Sequence, residues 1–191
     1  MGESGPGVRV REHEFSPGRR ALDDALMGAA DRFVSLLVRH WLALVNVGVF
    51  VFAFLPFVAP WLASLDGATA QRIAREIYSA YSYTCHQLPQ RSWFLFGQQM
   101  AYCERDAAIY PAAFVSGLVF AWARGRGSRA RLGWRGYLLL ITPMAIDGFT
   151  QLFGLRESTW FLRTVTGSLF GAASVWLAYP YLQMAVEDLE A

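Results

Sequence analysis

Long apolar runs, separated by short polar segments, dominate the pattern of this 191-residue chain. A bilayer has a hydrocarbon layer of ~30 Å, which takes about 20 apolar residues in helical form to cross. Four runs approach or exceed this length, and they cover residues 41–63, 107–123, 137–153 and 164–182. The pattern predicts four transmembrane helices packed as an all-α bundle. The composition agrees, because 54% of the residues are hydrophobic and only 17% are charged.

The placement of arginine predicts the orientation of these helices. Six arginines precede the first run, and five more lie between residues 124 and 135. Short loops rich in arginine remain on the cytoplasmic side of a membrane. Both termini are therefore expected in the cytoplasm, residues 64–106 and 154–163 are expected outside, and the protein is expected in the cell membrane as a multi-pass protein.

The first forty residues form a separate region in this interpretation. Residues 1–20 are polar and contain several glycines and prolines, which predicts a disordered cytoplasmic tail. Residues 21–40 fit an amphipathic helix in the membrane interface, with Asp23, Asp24 and Asp31 toward water. The predicted division is a tail with an interfacial helix, residues 1–40, and a four-span membrane domain, residues 41–191.

The outer segment, residues 64–106, is predicted to fold as a cap on the bundle. Apolar or small residues recur there at helical spacing, at Ile73, Ile77, Ala80, Tyr81 and Thr84. This helix should end near Cys85 and His86, because Pro89 disfavours helix in the residue before it. A short hairpin about Gly97 would then bring Cys103 back toward Cys85. The predicted fold class is an all-α integral membrane protein with a short extracytoplasmic helix and hairpin as its cap.

The cap contains both cysteines of the chain and one of its three histidines. In one interpretation Cys85 and Cys103 form a disulfide, which an oxidising outer compartment permits. In the other, a metal such as zinc or iron is held by Cys85, His86, Cys103 and Asp106, which offer thiolate, imidazole and carboxylate ligands. Cys103 and Asp106 are three residues apart and share a face if the helix has begun there. Thiol–disulfide exchange is favoured least, because the two cysteines lack the C-x-x-C spacing.

Asp147 is an acidic residue inside the third predicted span. A charge at the bilayer centre costs ~2.5–3.5 kcal/mol on insertion scales, so the carboxylate needs a partner. The candidates are Arg105, Arg156 and Arg163. One interpretation is a structural ion pair that holds the third and fourth spans together. The other makes Asp147 a catalytic group that moves protons, as His86 would also do.

Several arginines are candidates for binding an anion at the outer side. Those at or beyond the predicted outer interface are Arg91, Arg105, Arg156 and Arg163. Guanidinium groups match phosphate and carboxylate in shape and charge, which predicts binding of an anionic substrate or lipid head group. Ordinary snorkelling of arginine at the ends of spans is the alternative.

The fourth predicted span contains a stripe of small residues. Gly167 and Gly171 form a GxxxG pattern that Ser174 continues. Small residues on one face allow two helices to approach closely. We expect this stripe to serve packing within the molecule rather than dimerisation.

Two blocks of the sequence resemble a known family. The stretches CHQLPQRSWFLFGQQMAYCERDAAIY and DGFTQLFGLRESTWFLRTVTGSLFG are similar to the prokaryotic integral-membrane family catalogued as domain of unknown function 2085. The resemblance covers about residues 70–175 and implies which positions matter rather than which reaction occurs. It also implies that Asp106 stands where many relatives have cysteine. That alternation suits an interchangeable metal ligand better than a disulfide, and both interpretations remain open.

The function expected from the sequence is a membrane protein with an extracytoplasmic metal-binding pocket. Such a protein would be a metal-dependent enzyme acting on a lipid or a small anionic substrate. The alternative is a non-catalytic accessory or scaffold subunit of a membrane complex, with a disulfide between Cys85 and Cys103. Membrane lipids and other membrane subunits are the expected partners. A net charge of +2 gives no indication of a nucleic-acid partner.

Overall fold

The structure, a computed structural model, describes residues 17–190 and is mostly helical. Its α-helices are α1 (Pro17–Ala63), α2 (Ala68–Ser82), α3 (Asp106–Gly125), α4 (Trp134–Leu152) and α5 (Trp160–Glu190). Between α2 and α3 the chain forms a 3-10 turn, Pro89–Arg91, and two short strands, β1 (Phe94–Leu95) and β2 (Gln98–Gln99).

The chain divides into two compact units, residues 1–40 and 41–191. In the first unit, residues 17–40 are helical, and the side chains from residue 21 onward are mostly exposed. Residues 1–16 of the predicted disordered tail lie outside the described residues. Residues 17–20 are already part of α1, so this end of the predicted tail is helical.

Three helices are long and apolar enough to cross a membrane: Ala21–Ala63, Asp106–Gly125 and Trp160–Leu189. The third predicted span is present as α4, a helix of 19 residues. It falls outside this group because Arg135, Asp147 and Gln151 lower its mean hydropathy. Length and composition thus identify three spanning helices where the sequence pattern predicted four.

Helices α3 and α5 run parallel to each other in close contact. A Cβ atom added to Gly167 would lie 2.8 Å from the carbonyl oxygen of Arg105, and one added to Gly171 would lie 2.1 Å from that of Ile109. Only glycine therefore allows this approach. The predicted packing of the small residues within the molecule is confirmed at both glycines.

Helix α4 runs in the opposite direction to α3 and α5. Near its start, the hydroxyl of Tyr137 lies 3.4 Å from that of Ser174, well along α5. Near its end, Asp147 bonds Arg105, which precedes the first residue of α3. The part of α1 from residue 41 is also antiparallel to α3, since the ring of Phe50 packs on Phe114 and a Cβ on Gly117 would clash with Asn46.

The predicted outer helix is present as α2, but its buried face differs from the prediction. Ala74, Ile77 and Tyr81 are buried, whereas Ile73 is 47% exposed. Ala80 and Thr84 are also exposed. The helix buries positions i, i+3 and i+7, and the side chain of Ile73 points about 100° away from that of Ala74. The predicted burial is therefore confirmed at Ile77 and Tyr81 and is wrong at Ile73, Ala80 and Thr84.

The hairpin predicted about Gly97 is present. Its register pairs Phe94 with Gln99 and Leu95 with Gln98 in an antiparallel ladder. The two turn residues, Phe96 and Gly97, both have positive φ angles, 53° and 74°. Positive φ at both central residues is typical of the tight turn that matches the twist of two-residue hairpins.

Tyrosine hydroxyls attach α2 and the segment that follows it to α1. Tyr81 donates to the carbonyl oxygen of Phe52 at 2.7 Å, and Tyr102 donates to that of Ala53 at 2.5 Å. Around them, a buried cluster includes Cys85 and Met100. Burial raises the pKa of Tyr81 to about 12, so its hydroxyl remains a donor over the physiological range.

Candidate functional site

The backbone turn after α2 positions Cys85 and His86. Gln87 has a φ of 49°, which is uncommon for a residue other than glycine. Its side-chain nitrogen donates to the carbonyl oxygens of Tyr78 and Ala101, both at 2.8 Å. Its own carbonyl oxygen accepts a hydrogen bond from Gln99 in β2. These bonds hold an unfavourable backbone conformation in place two residues after Cys85.

Cys85, Cys103 and Asp106 converge at the start of α3. One ligand atom from each of the three side chains lies within 4.8 Å of the others. The Sγ atom of Cys103 is 3.3 Å from Oδ2 of Asp106, as their spacing of three residues predicted. The backbone N–H of Cys103 donates to Sγ of Cys85 at 3.1 Å. Both cysteines are free thiols in the structure, and hydrogen bonds of this kind stabilise sulfur as a metal ligand.

The two thiols differ in acidity because they share a hydrogen bond. That bond, followed by burial, raises the pKa of Cys85 above its ordinary value. The same bond lowers the pKa of Cys103, against the opposing effect of burial and of the Asp106 carboxylate. Ionisation is therefore favoured at Cys103 over Cys85.

A cavity of about 180 Å³ opens beside the cysteine cluster. Seven of the nine residues predicted for the site line it: Cys85, His86, Arg91, Cys103, Arg105, Asp106 and Arg163. Gln151, from the last turn of α4, lines it as well. The structure therefore brings residues from the outer segment, α3, α4 and α5 to one place. We call this space the polar cavity.

Asp147 and Arg156 do not line the polar cavity. Asp147 is 2% exposed, and both of its oxygens are already bonded. Oδ2 accepts from Arg105 at 2.5 Å and from Ser158 at 2.7 Å, and Oδ1 accepts from Arg156 at 2.7 Å. Asp147 therefore has the arginine partners that the ion-pair interpretation requires. Its role in proton transfer stays a prediction.

Arg163 is not a partner of Asp147, contrary to one of the sequence candidates. It bonds Glu104 at 2.9 Å and so joins α5 to the residues before α3. The ion pairs of Asp147 likewise join α4 to the start of α3 and to the loop before α5, rather than α4 to α5 itself. Arg163 is not available to Asp147, because its guanidinium pairs with Glu104.

Arg91 and Gln151 complete the wall of the polar cavity. With its amide oxygen turned toward the arginines, Gln151 accepts from Nη2 and Nε of Arg91 at 3.0 and 3.2 Å, and from Nη2 of Arg163 at 3.2 Å. Arg91 makes no ion pair with a carboxylate among the described residues. Its charge is therefore available to an anion in the cavity.

His86 lies at the cavity but outside the three-residue cluster. Its side chain is exposed, whereas Cys85 beside it is buried. Successive side chains leave the chain in different directions, so one of the pair faces the cluster and the other faces solvent. His86 has the position of a group that meets a ligand entering the cavity. Its role as a metal ligand or proton carrier stays a prediction.

Four residues that support the site were not predicted from the sequence. Glu104 and Ser158 bond the arginine and aspartate described above, and Gln87 and Gln99 hold the turn after α2. Glutamine at position 87 was visible only as part of the CHQ motif. The contacts of the other three join residues that lie far apart in the sequence.

Comparison with known proteins identifies the family. Residues 85–177 match the family described as predicted membrane protein DUF2085. An uncharacterized protein of Methanocaldococcus jannaschii is 35% identical over 147 residues, which cover 75% of this chain and 93% of that protein. This chain belongs to the DUF2085 family. An uncharacterized protein of Methanothermobacter thermautotrophicus is 38% identical over 87 residues, or 46% of this chain and 77% of that protein. No solved structure matches this DUF2085 chain.

The matched range contains the whole site described above. It begins at Cys85 and extends past Arg163. The resemblance found in the two sequence blocks is therefore confirmed, and the chain is a predicted membrane protein by family as well as by composition.

Proposed function

We propose that this protein is a four-span membrane protein that binds one transition-metal ion, zinc by its ligand set, in an extracytoplasmic pocket. The ligands are Cys85, Cys103 and Asp106. The neighbouring arginines hold an anionic substrate, so that the metal and the substrate meet in the polar cavity. The observation that carries the proposal is the convergence of three ligand atoms within 4.8 Å of one another beside that cavity.

The directions of the helices support a fourth membrane crossing by α4. Helices α3 and α5 are parallel and in contact along their length, and both are apolar enough to span. A chain that crosses through α3 must return before it can cross in the same direction through α5. Helix α4, which lies between α3 and α5 in the sequence, runs in the opposite direction. Its 19 residues give a length of about 28 Å, close to the hydrocarbon thickness of ~30 Å.

The charges of the loops support an outward-facing site. Five arginines lie between residues 124 and 135, at the end of α3 and the start of α4. The positive-inside rule places this end in the cytoplasm. The opposite end of the bundle, with the cysteine cluster and the outer segment as its cap, then faces the extracytoplasmic side.

The ligand set supports zinc with a position left open. Thiolate and carboxylate are both zinc ligands, and three protein ligands are typical of catalytic zinc, where water or substrate takes the fourth place. A bound metal of this kind polarises a bond or activates water. In this protein the fourth place would open toward His86 and the arginines, where an anionic substrate can approach.

Metal analysis of the purified protein tests the proposal. The protein is purified in detergent without chelator, and zinc and iron are measured per chain. We expect about one zinc ion in the wild type and less than a tenth of that in Cys103→Ser and in Asp106→Asn. Asp66→Asn is the matched control, because Asp66 is an exposed acid between α1 and α2 and its replacement should leave the metal bound.

Counting free thiols under denaturing conditions separates the proposal from its alternative. Two free thiols with stoichiometric metal support a metal site. No free thiol before reduction, together with no metal, would replace it with the disulfide-stabilised accessory subunit. Loss of metal from Asp66→Asn as well would show that the metal binds elsewhere or nonspecifically.

A further inference from the structure

Arg105 lies between two different cavities. Its side chain lines the polar cavity and also a second cavity of about 280 Å³, between α4 and α5. We call the second space the lateral groove. A Cβ atom added to Gly148 would lie 3.8 Å from Nη1 of Arg105. The guanidinium therefore rests against the glycine of α4, at the boundary between the two spaces.

The lateral groove is apolar apart from Arg105. Its walls are aliphatic and aromatic side chains, among them Ile141, Met144, Phe149 and Phe170. Phe149 is 59% exposed, so the groove is open to its surroundings. In a spanning helix that surrounding is the lipid hydrocarbon, and the groove has the lining that an acyl or isoprenoid chain would contact.

The polar cavity has the complementary chemistry for a phosphate group. Arg91 is free of any carboxylate partner in the described part of the chain. The buried Nε atoms of Arg105 and Arg163 have no acceptor among the described residues. Three guanidinium groups thus line one small space, in which Arg91 has a positive charge without a carboxylate partner, and guanidinium binds phosphate oxygens in pairs.

We propose that the substrate is a lipid whose head group is a terminal phosphate monoester, which enters from the membrane with its chain in the lateral groove and its phosphate in the polar cavity. Arg105 marks the boundary between head and chain. This inference rests on the proposed function for the metal beside the phosphate. It adds the substrate class and the direction of entry, sideways from the bilayer rather than from water.

Photo-crosslinking in vesicles tests the inference. The full-length protein is reconstituted with phosphatidic acid that has a diazirine on its acyl chain, or with the matching phosphatidylcholine. Cleavage after arginine releases residues 136–156, which include most of α4, as one peptide. This peptide contains most of the groove wall. We expect this peptide to be labelled by the phosphatidic acid at least fivefold more than by the phosphatidylcholine, and unlabelled phosphatidic acid should compete far better than inorganic phosphate.

Two variants and one matched control assign the labelling to the groove and the head-group site. Ala145→Leu fills the lateral groove, and Arg91→Gln removes an unpaired positive charge without leaving an acid behind. Each should lower the labelling at least fivefold. Ala172→Leu is the control, because it makes the same change in another apolar cavity, of about 240 Å³, that Arg105 does not line. Its labelling should match the wild type.

The outcomes separate this inference from the metal proposal, because metal content is measured in the same samples. Equal labelling by the two lipids, or unchanged labelling in Ala145→Leu, would show ordinary lipid contact and overturn the inference even where the metal is bound. Equal competition by inorganic phosphate would make the ligand a free phosphate and also overturn it. Selective labelling in protein that binds no metal would support the lipid site and overturn the metal proposal instead.

Discussion

The guanidinium of Arg105 bonds the carboxylate of Asp147 at 2.5 Å, and so joins the start of α3 to the last turns of α4. The other carboxylate oxygen accepts from Arg156 in the following loop. The buried acid of α4 is thereby matched by two arginines. The same contact fixes Arg105 at the boundary of the polar cavity, so the ion pair has a consequence for the site although Asp147 itself does not line it.

Replacing Asp147 with asparagine should reduce stability. The change removes the charge that neutralises two arginines, of which Arg105 is 20% and Arg156 39% exposed. Because solvent screens these arginines in part, we expect a loss of about 2 kcal/mol in the free energy of unfolding, below the range for fully buried pairs. Thermal unfolding in detergent measures it, with Asp66→Asn as control. Full stability with loss of activity would instead support a chemical role for Asp147.

Replacing Gly171 with alanine should separate α3 from α5. The new Cβ atom would lie 2.1 Å from the carbonyl oxygen of Ile109, so one helix must move. We expect a destabilisation of about 1–3 kcal/mol, typical of overpacking. Gly48→Ala is the matched control, because a Cβ there meets nothing within 4 Å and alanine is the better helix former. Equal unfolding temperatures for the two variants would contradict the close contact.

Replacing Gln87 with alanine should weaken metal binding. The change removes two hydrogen bonds to the carbonyl oxygens of Tyr78 and Ala101 and leaves the positive φ angle unsupported. Loss of a group that orients a ligand typically costs about 10–100-fold in metal affinity, and we expect a loss in that range. Competition with a zinc chelator measures it. The exposed Gln90 lies in the same loop, and Gln90→Ala should bind as the wild type does.

The two cysteines should react with iodoacetamide at different rates in protein stripped of metal. The pKa of Cys103 is lowered by its hydrogen bond from Cys85, and the pKa of Cys85 is raised by that bond and by burial. The thiolate therefore forms first at Cys103, and its reaction should reach half of its maximal rate below the pH of an ordinary thiol, about 8.5. Cys85 should react only at higher pH or after unfolding.

Peptide mapping resolves these two reactions. Cleavage after arginine places Cys85 in residues 76–91 and Cys103 in residues 92–105. Bound zinc should protect both peptides from modification. Equal pH profiles for the two cysteines in the metal-free protein would contradict the shared hydrogen bond.

Local spacing predicted the parts of the site that are close in sequence. The contact between Cys103 and Asp106 follows from helical geometry, and the return of Cys103 toward Cys85 follows from the hairpin about Gly97. On α2, the predicted burial of Ile77 and Tyr81 is confirmed, but Ile73 is exposed and the smaller Ala74 is buried in its place. The size and hydrophobicity of these two neighbours do not indicate which one is buried. Hydropathy alone also could not decide whether α4 spans, since two of its polar residues, Asp147 and Gln151, face arginines of other segments.

The partners of the arginines lay beyond what sequence patterns can give. Of the three candidate arginines, Arg163 is closer to Asp147 along the chain than Arg105 is, yet Arg105 is the one that pairs with it. Arg163 pairs with Glu104 instead of Asp147, and that contact depends on how α5 packs beside α3. Pairings of this kind become visible only when the helices are assembled.

The three proposed metal ligands, two cysteines and one aspartate, come from one short stretch, residues 85–106, whereas Gln151 and Arg163 of the polar cavity come from the last two helices. During synthesis the stretch with the proposed ligands emerges first. Under the proposed function, a half-made protein would therefore be able to capture the metal ion, while selectivity for what enters beside it would be acquired only when the C-terminal helix has been inserted. A chain truncated after α3 would keep the first property without the second.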